Sequence, residues 1–215
     1  MRYRLLAAAV LFAGVVACGP SAADLAAEEA ARVEAEARAA EEEAARQSAL
    51  LQSQFAEAEE FVRSRTQPLS RTEDGTRGAM RHDWRAEFSS FDSPMRWREV
   101  ESMAAANGSI AAGYTDTLDF TADPAELSLP VTVEAFEGTG WYAVKFECRT
   151  GSCITVTGTR EVAAMDAYQT ETDAQAISEQ RTSNSWLYSD LDTAQRVARA
   201  AETMLQQNGA QNRVY

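Results

Sequence analysis

The stretch WYAVKFECRTGSCITVTGT, residues 141–159, contains two of the three cysteines of this 215-residue chain. β-Branched and aromatic residues flank both cysteines, a composition that is typical of strands. Residues 149–152 separate Cys148 from Cys153, so the pattern predicts two strands joined by a short loop. In a hairpin of that length the cysteines face each other with Cα atoms about 5 Å apart, within the range that a disulfide spans. We therefore predict a Cys148–Cys153 disulfide, provided that the chain folds in an oxidising compartment.

A redox-active pair and a metal half-site are the alternatives for these two cysteines. Redox-active pairs usually have the spacing C-x-x-C at the start of a helix, whereas this pair has the spacing C-x₄-C between strands. A zinc site would need two further ligands, and the chain contains one histidine, His82. A structural disulfide, with neither a metal nor a cofactor, is the expectation.

The residues on either side of this stretch predict further strands. Alternating apolar residues indicate a half-buried antiparallel sheet. These segments are residues 84–91, 95–100, 110–120, 126–136 and 185–189. Residues 160–184 are polar with weak helical character, and we interpret them as an exposed excursion. Together with the two strands that flank the cysteines, the pattern predicts about seven antiparallel strands.

The period of the apolar residues then changes from two to about 3.6 in DLDTAQRVARAAETMLQQNG, residues 190–209. Ser189 or Asp190 suits the N-cap of a helix, and Gly209 suits its end. One face collects small and apolar side chains. They are Leu191, Ala194, Ala198, Ala201 and Leu205, with Val197 and Met204 beside them. We predict an amphipathic helix over 190–208, so the fold class is α+β.

The order of about seven antiparallel strands followed by one amphipathic helix resembles the pleckstrin-homology-like domains. Local sequence is similar to secreted bacterial proteins with such domains in YTDTLDFTADPAELSL (114–129), in WYAVKFECRTGSCITV (141–156) and in the terminal helix. The resemblance implies a small antiparallel barrel or bent sheet over 83–215 with the helix at one open end, and it implies a fold rather than an activity. Eukaryotic members often bind phosphoinositides through basic loops, and the cysteine loop here offers only Arg149.

Residues 22–65 contain neither glycine nor proline and are rich in Ala, Glu and Arg, which are strong helix formers. Ser21 and Asp24 have the spacing of a capping box. Oppositely charged residues four apart support the helix further. They are Glu28 and Arg32, Glu34 and Arg38, and Glu42 and Arg46. We expect a solvated helical stalk about 66 Å long.

A thin coiled coil, and with it self-association through helix 22–65, is the alternative to a stalk, because alanines and Val33 recur at a spacing of three and four. Only residues 50–62 carry enough apolar surface to dock on the domain. Residues 66–82, TQPLSRTEDGTRGAMRH, are polar and contain glycine and proline, so we interpret them as a linker.

The first 17 residues have the features of a signal peptide. Arg2 and Arg4 precede an apolar run from Leu5 to Val16, which is too short to cross a bilayer as a stable helix. An ordinary secretory signal with a cysteine placed there by chance is the alternative to the more specific interpretation that follows.

The end of the apolar run, Val15-Val16-Ala17-Cys18, resembles the lipobox of bacterial lipoproteins. The resemblance implies cleavage before Cys18, a diacylglycerol on its sulfur and acylation of the new amino terminus, so that residues 18–21 form the lipidated end. Several acyl chains anchor a protein stably at a bilayer. Gly19 stands where an Asp retains such lipoproteins in the inner membrane, which favours the outer membrane, facing the periplasm.

The charge of the chain excludes two classes of partner. Lys and Arg number 20 and Asp and Glu number 33, so the net charge is −13, and loss of Arg2 and Arg4 with the leader would lower it by two. Nucleic acids and anionic headgroups require a positive surface, so we expect neither as a partner.

The sequence singles out no catalytic constellation. His82 falls in the predicted linker and is expected to be solvated. Acidic residues on the predicted strands and turns show no spacing that marks a pair for acid–base catalysis. They include Asp116, Asp119, Glu134 and Glu137. The four tryptophans fall in strand-like segments and are expected in the core. They are Trp84, Trp97, Trp141 and Trp186.

We therefore expect a membrane-anchored, non-enzymatic lipoprotein of the cell envelope that presents its domain to an unidentified envelope protein. A periplasmic module that binds a small ligand or a glycan is the second hypothesis, and an enzyme with an unfamiliar site is the third. An exposed apolar groove between strand and helix would favour the first. A deep pocket lined by tryptophans would favour the second, and a buried carboxylate pair in a cleft would favour the third.

Overall fold

The computed structural model describes residues 21–75, 78–105, 113–163 and 173–212. The chain divides into two units, Met1–Ala49 and Leu50–Tyr215. The predicted signal peptide and Cys18 lie outside the described residues. Within the described part of the chain, no helix has the length and apolarity needed to cross a membrane.

Helix α1 spans Ala22–Arg65, the range that the sequence predicted. The expected capping box begins it: Asp24 N–H donates to Ser21 Oγ at 3.2 Å, and Ser21 N–H donates to Asp24 Oδ2 at 3.0 Å. Residues 22–49, which belong to the first unit, are exposed along their whole length. This part of the helix is therefore stabilised by its own local interactions.

Ion pairs along α1 agree with two of the three predicted pairings. Arg38 lies 2.5 Å from Glu34, and Arg46 lies 3.6 Å from Glu42. Arg32 pairs instead with Glu29 at 2.6 Å and with Glu36 at 3.7 Å. Since all of these side chains are exposed, each pair contributes only a few tenths of a kcal/mol.

The second unit contains the end of α1, the described strands and a second helix. In chain order these are β1 (Leu69–Gly75), β2 (Gly78–Ser90), β3 (Met95–Ala105), β4 (Gly113–Ala122), a 3₁₀ turn (Pro124–Glu126), β5 (Ser128–Leu129), β6 (Thr132–Phe136), β7 (Trp141–Glu147), β8 (Ile154–Ala163), β9 (Asp173–Arg181), β10 (Ser183–Tyr188), α2 (Leu191–Gln207) and β11 (Gln211–Asn212).

The strands form one large antiparallel sheet and two smaller sheets. The large sheet has the order β1-β2-β3-β4-β8-β9, the second has the order β10-β7-β6, and β11 pairs with β5 in parallel. Among the described strands, β1 and β9 are the two edges of the large sheet, which is open rather than a closed barrel. The α+β class is confirmed, with more strands than the seven predicted.

Two strands occupy segments that the sequence predicted to be irregular. β1 and the start of β2 lie in the expected linker 66–82, and β9 lies in the expected excursion 160–184. Both β1 and β9 are sheet edges rich in charged and polar residues. Edge strands need no apolar alternation, and charges on them oppose aggregation, so their sequences resemble loops.

The two strands beside the cysteines do not form the predicted hairpin. β7 pairs with β10, and β8 pairs with β9. Thr182 alone separates β9 from β10. Glu147 opposes Ser183, and Ile154 opposes Arg181, so residues 148–153 form a bulge opposite Thr182. The predicted hairpin is wrong, because each of the two strands pairs with a strand that lies further along the chain.

The predicted disulfide is present and closes this bulge. The Cys148 and Cys153 sulfurs lie 2.07 Å apart, and the Cα atoms lie 5.7 Å apart. Cys148 N–H donates to Thr182 O at 2.8 Å, and Cys153 N–H donates to Arg181 O at 3.2 Å. The disulfide therefore holds a two-stranded ribbon together where it passes from the large sheet to the three-stranded one.

One apolar core joins the sheets and both helices of the second unit. Trp186 lies at its centre, with ring centroids 4.2 Å from Phe146, 4.4 Å from Phe88 and 6.2 Å from Trp97. All four tryptophans are buried, as the sequence predicted. From α1, Ala58 and Val62 enter the core, in agreement with the expected docking of residues 50–62.

Helix α2 confirms the predicted helix 190–208. Asp190 caps it by accepting from Thr193 N–H at 2.7 Å, and Gly209 ends it with a φ of 92°, a conformation that favours glycine. Six of the seven predicted apolar positions are buried. Leu191, the first residue of the helix, is the exception, with 43% of its surface exposed.

Candidate functional site

The register of the large sheet places polar side chains side by side on the face that also carries the core aromatics. Trp84, Glu101, Asp116 and Arg160 are register partners across β2, β3, β4 and β8. The adjoining register row is Ala86, Glu99, Leu118 and Gly158, and the row after it contains Phe88, Trp97, Phe120 and Val156. This inner face is thus apolar in one half and polar in the other, with Glu99 at the boundary.

Glu99 is a buried carboxylate held by uncharged donors. Its residue surface is 8% exposed. Trp97 Nε1 donates to Oε1 at 2.8 Å, Asn184 Nδ2 donates to Oε1 at 2.7 Å, and Trp84 Nε1 donates to Oε2 at 3.3 Å. Asn184 belongs to β10, so its hydrogen bond links the three-stranded sheet to β3 of the large sheet.

Burial controls the protonation of Glu99. It raises the pKa of this carboxyl to about 7, although the donors Trp97, Asn184 and Trp84, and the charge of Arg181, act in the opposite direction. The nearest link to a cation is indirect, since Arg181 Nη1 donates to Asn184 Oδ1 at 3.3 Å. The raised pKa favours the neutral carboxylic acid in mildly acidic solution, where an ordinary glutamate is already charged.

The polar half of the inner face is organised around Asp116 and Glu101. Arg160 donates two hydrogen bonds to Asp116, at 2.7 and 2.5 Å, and its guanidinium carbon lies 5.0 Å from the centre of the Tyr114 ring. Tyr114 OH donates to Glu101 Oε1 at 3.1 Å. Burial and the neighbouring Glu101 raise the pKa of Tyr114 to about 12, so this hydroxyl remains a donor at neutral pH.

His82 lies in β2 and not in a linker, which corrects the expectation from the sequence. Its Nε2 lies 2.8 Å from Glu101 Oε1, and its ring packs 5.5 Å from that of Trp141. Its side chain is 13% exposed. Among the described residues, His82 thus contacts a carboxylate and an indole ring.

The acidic residues considered from the sequence are dispersed. Asp116 pairs with Arg160, Asp119 with Arg98 at 2.8 Å, and Glu134 approaches Lys145 at 3.8 Å. No group of three or more His, Cys, Asp or Glu side chains in the described ranges is arranged to hold a metal.

Glu99 and Glu101 were not singled out from the sequence. The signal was present in MRWREV, because alternation in a strand places Glu99 on the same face as Met95 and Trp97. Both of those residues are 2% exposed. A carboxylate in phase with two core residues indicates a buried acid, but the identity of its donor from β10 cannot be read from local sequence.

A second candidate surface is the free edge of the three-stranded sheet. Among the described strands, β6 pairs with β7 alone, and four of its five residues are exposed. Phe136 at its end is 42% exposed. The edge strand β1, in contrast, carries Arg71, Glu73 and Asp74. Of these two edges, β6 is the less charged and has an exposed aromatic side chain.

The chain matches no protein-family model, no curated protein and no solved structure.

Proposed function

We propose that this protein is a lipid-anchored lipoprotein of the cell envelope, facing the periplasm from the outer membrane, whose folded unit binds another envelope protein without catalysing a reaction. The bilayer contact is made through acyl chains on Cys18. The lipobox Val15-Val16-Ala17-Cys18 carries the proposal of an anchor. The exposed edge strand β6 carries the proposal of protein binding.

The start of α1 supports the anchor. The helix begins at Ala22, only a few residues after Cys18, and residues 22–49 are exposed and rich in local ion pairs. A segment that folds on its own local interactions is suited to link lipid and domain. Its exposed alanine seam also leaves self-association as a second use of the same helix.

The finer fold assignment is part of the same proposal. We infer a relationship to pleckstrin-homology-like domains, in which a bent antiparallel sheet is followed by a C-terminal helix. Two features support this inference. The chain passes from β9 in the large sheet directly to β10 in the three-stranded sheet, and α2 follows β10.

Strand addition at β6 is the mode of binding that the edge favours. Backbone groups on the open side of an edge strand can pair with an extended peptide, and exposed side chains such as Phe136 select its sequence. The partner would be an extended segment of an envelope protein with an apolar side chain opposite Phe136.

The burial of aromatic rings and the pairing of nucleophilic groups support a protein that binds another protein, over a module that binds a small ligand or a glycan and over an enzyme. The four tryptophans are between 0% and 6% exposed, so none offers the flat exposed ring on which a glycan stacks. Cys148 and Cys153 are joined to each other, and His82 contacts Glu101.

Metabolic labelling with a radioactive fatty acid and membrane fractionation test the anchor. Cys18→Ser should abolish label incorporation, leave the signal peptide uncleaved at this site and alter membrane partitioning. The double variant Cys148→Ser/Cys153→Ser should keep the label. Equal labelling of the Cys18→Ser protein would overturn the anchor.

A photoreactive amino acid at position 136 tests the binding surface in intact envelopes. We expect a discrete crosslinked protein there, and none at position 157, an exposed residue on the large sheet. The same adducts at both positions, or none at 136, would contradict strand addition at β6.

A further inference from the structure

Glu99 connects the two main sheets through a single carboxylate oxygen. Oε1 accepts from Trp97 on its own strand at 2.8 Å and from Asn184 on β10 at 2.7 Å. Residues 99 and 184 are far apart in the chain, so this contact exists only when the two sheets are assembled. Both residues are 8% exposed, so water cannot easily replace either partner.

The other carboxylate oxygen, Oε2, makes the weaker hydrogen bond and is therefore the oxygen that a proton would occupy. Oε2 accepts a single, longer bond of 3.3 Å from Trp84. A proton on Oε2 weakens that bond alone and leaves both short bonds to Oε1 in place. The neutral acid therefore keeps the link between β3 and β10.

The charged groups around Glu99 have partners of their own. On β3 and β4, Glu101 contacts His82 of β2 and Tyr114, and Asp116 is paired with Arg160 of β8. On β9, Arg181 donates to Glu179 at 2.6 Å and to Asn184, and its charge lowers the pKa of Glu99 without a direct hydrogen bond to it. On β10, the buried Tyr188 hydroxyl is an uncharged neighbour whose pKa is raised mainly by burial and further by Glu99.

A charged Glu99 thus lies in the core with dipoles around it and no cation in contact among the described residues. Burying an ion without a paired counter-charge is costly, and the cost disappears when the group is protonated. Removal of the proton therefore raises the free energy of the folded state. The unfolded chain is not affected in this way, because its carboxylate is solvated.

We propose that Glu99 is a proton-dependent latch between β3 and β10. Both short hydrogen bonds to Oε1 persist in either state, but loss of the proton destabilises the assembled sheets because it leaves a charge in the core with no cation in contact. This latch does not depend on the proposed binding function. It makes the packing of the three-stranded sheet on the large sheet sensitive to pH in the neutral range.

The direction and size of the effect follow from linkage. The pKa of Glu99 is about 7 in the folded chain, against an ordinary value of 4.5. Since the folded state holds the proton more tightly, stability is fully present below about pH 4.5, falls as the pH rises to about 7, and changes little above that. Between pH 5 and pH 8 the unfolding equilibrium constant should rise about 70-fold on account of this group.

Urea unfolding of the full chain at pH 5 and pH 8 tests the latch, with Glu99→Gln as the permanently neutral variant. The amide oxygen of Gln can accept from Trp97 and Asn184, so the variant preserves the link. We expect the wild type to show the roughly 70-fold rise and Glu99→Gln to lose most of it. Glu137→Gln, a change at an exposed turn, should retain the wild-type profile. Equal pH profiles for wild type and Glu99→Gln would overturn the latch.

A second measurement needs no variant and covers the case in which Glu99→Gln does not fold. Carbon-detected NMR of the wild-type chain should show one glutamate carboxyl that titrates with a midpoint near 7. If every glutamate carboxyl titrates below about pH 5.5, the latch is overturned.

Discussion

Two carboxylates on the inner face of the large sheet are buried to a similar degree but have different hydrogen-bond donors. Asp116 is 4% exposed and Glu99 is 8% exposed. Asp116 receives two hydrogen bonds from Arg160, whose side chain is 45% exposed and keeps its charge near solvent. Glu99 receives three bonds from the uncharged donors Trp84, Trp97 and Asn184.

The difference shows two ways in which a sheet can accommodate a buried acid. At Asp116 a long cationic side chain from the next strand compensates the carboxylate and joins it to the surface. At Glu99 no cation makes contact in the described structure, so neutral donors hold the carboxyl and burial raises its pKa. In the first region Asp116 raises the pKa of Arg160 further above its ordinary value, so the guanidinium stays charged at neutral pH. In the second, burial raises the pKa of the acid itself.

Trp97→Ala should have the largest effect, because it removes a donor from Glu99 and a ring stacked 4.9 Å from that of Phe120. We expect a loss of about 3–5 kcal/mol in the free energy of unfolding, measured by urea titration. Trp97→Phe keeps a ring at this position and loses the N–H, so it should cost less. Equal losses for the two variants would show that the hydrogen bond to Glu99, and not the ring, dominates.

Arg160→Met should cost about 2 kcal/mol, because Asp116 then stays buried without its cation; the exposure of Arg160 reduces the effect below that of a fully buried pair. The double variant Asp116→Asn/Arg160→Met should recover part of the loss in the same assay. A single variant as stable as wild type would mean that Asp116 is compensated by other groups.

Removal of the disulfide tests whether the ribbon that carries Arg181 and Asn184 supports the Glu99 region. Cys148→Ser/Cys153→Ser should lower the free energy of unfolding by about 1–2 kcal/mol, since the closed loop is short. Hydrogen exchange should accelerate most at the backbone amides of positions 148 and 153, which donate to Thr182 O and Arg181 O in the wild type. Uniform acceleration across the large sheet would contradict a local role.

Ala37→Gly lies outside both regions and should have the smallest effect. Position 37 is exposed in the first unit, so the urea transition of the second unit should change by less than about 0.5 kcal/mol, while helical circular dichroism falls. Ala58→Gly, at a buried position of the same helix, is the matched control and should lower stability measurably. A shift of the main transition by Ala37→Gly would show that the exposed segment is coupled to folding.

The candidate site could be predicted only in part. The alternation of Met95, Trp97 and Glu99 is sufficient to place a carboxylate on the buried face. The donor from Asn184, 85 residues later in the chain, is not deducible from any local pattern. His82 was misplaced for a related reason: a polar segment beside glycine resembles a linker until β1 and β3 are known to flank it.

The two helices follow from local sequence, because helix propensity, capping residues and the spacing of apolar side chains act between neighbours in the chain. The cysteine pair was predicted correctly from its short spacing, although the hairpin that was expected to join the two residues is absent. Which strands pair with β7 and β8, where the sheet edges lie, and which donors meet Glu99 were decided by the tertiary structure. Those contacts join residues far apart in the chain, and their free energy comes from burying shared surface and satisfying buried polar groups, which a short segment cannot do alone.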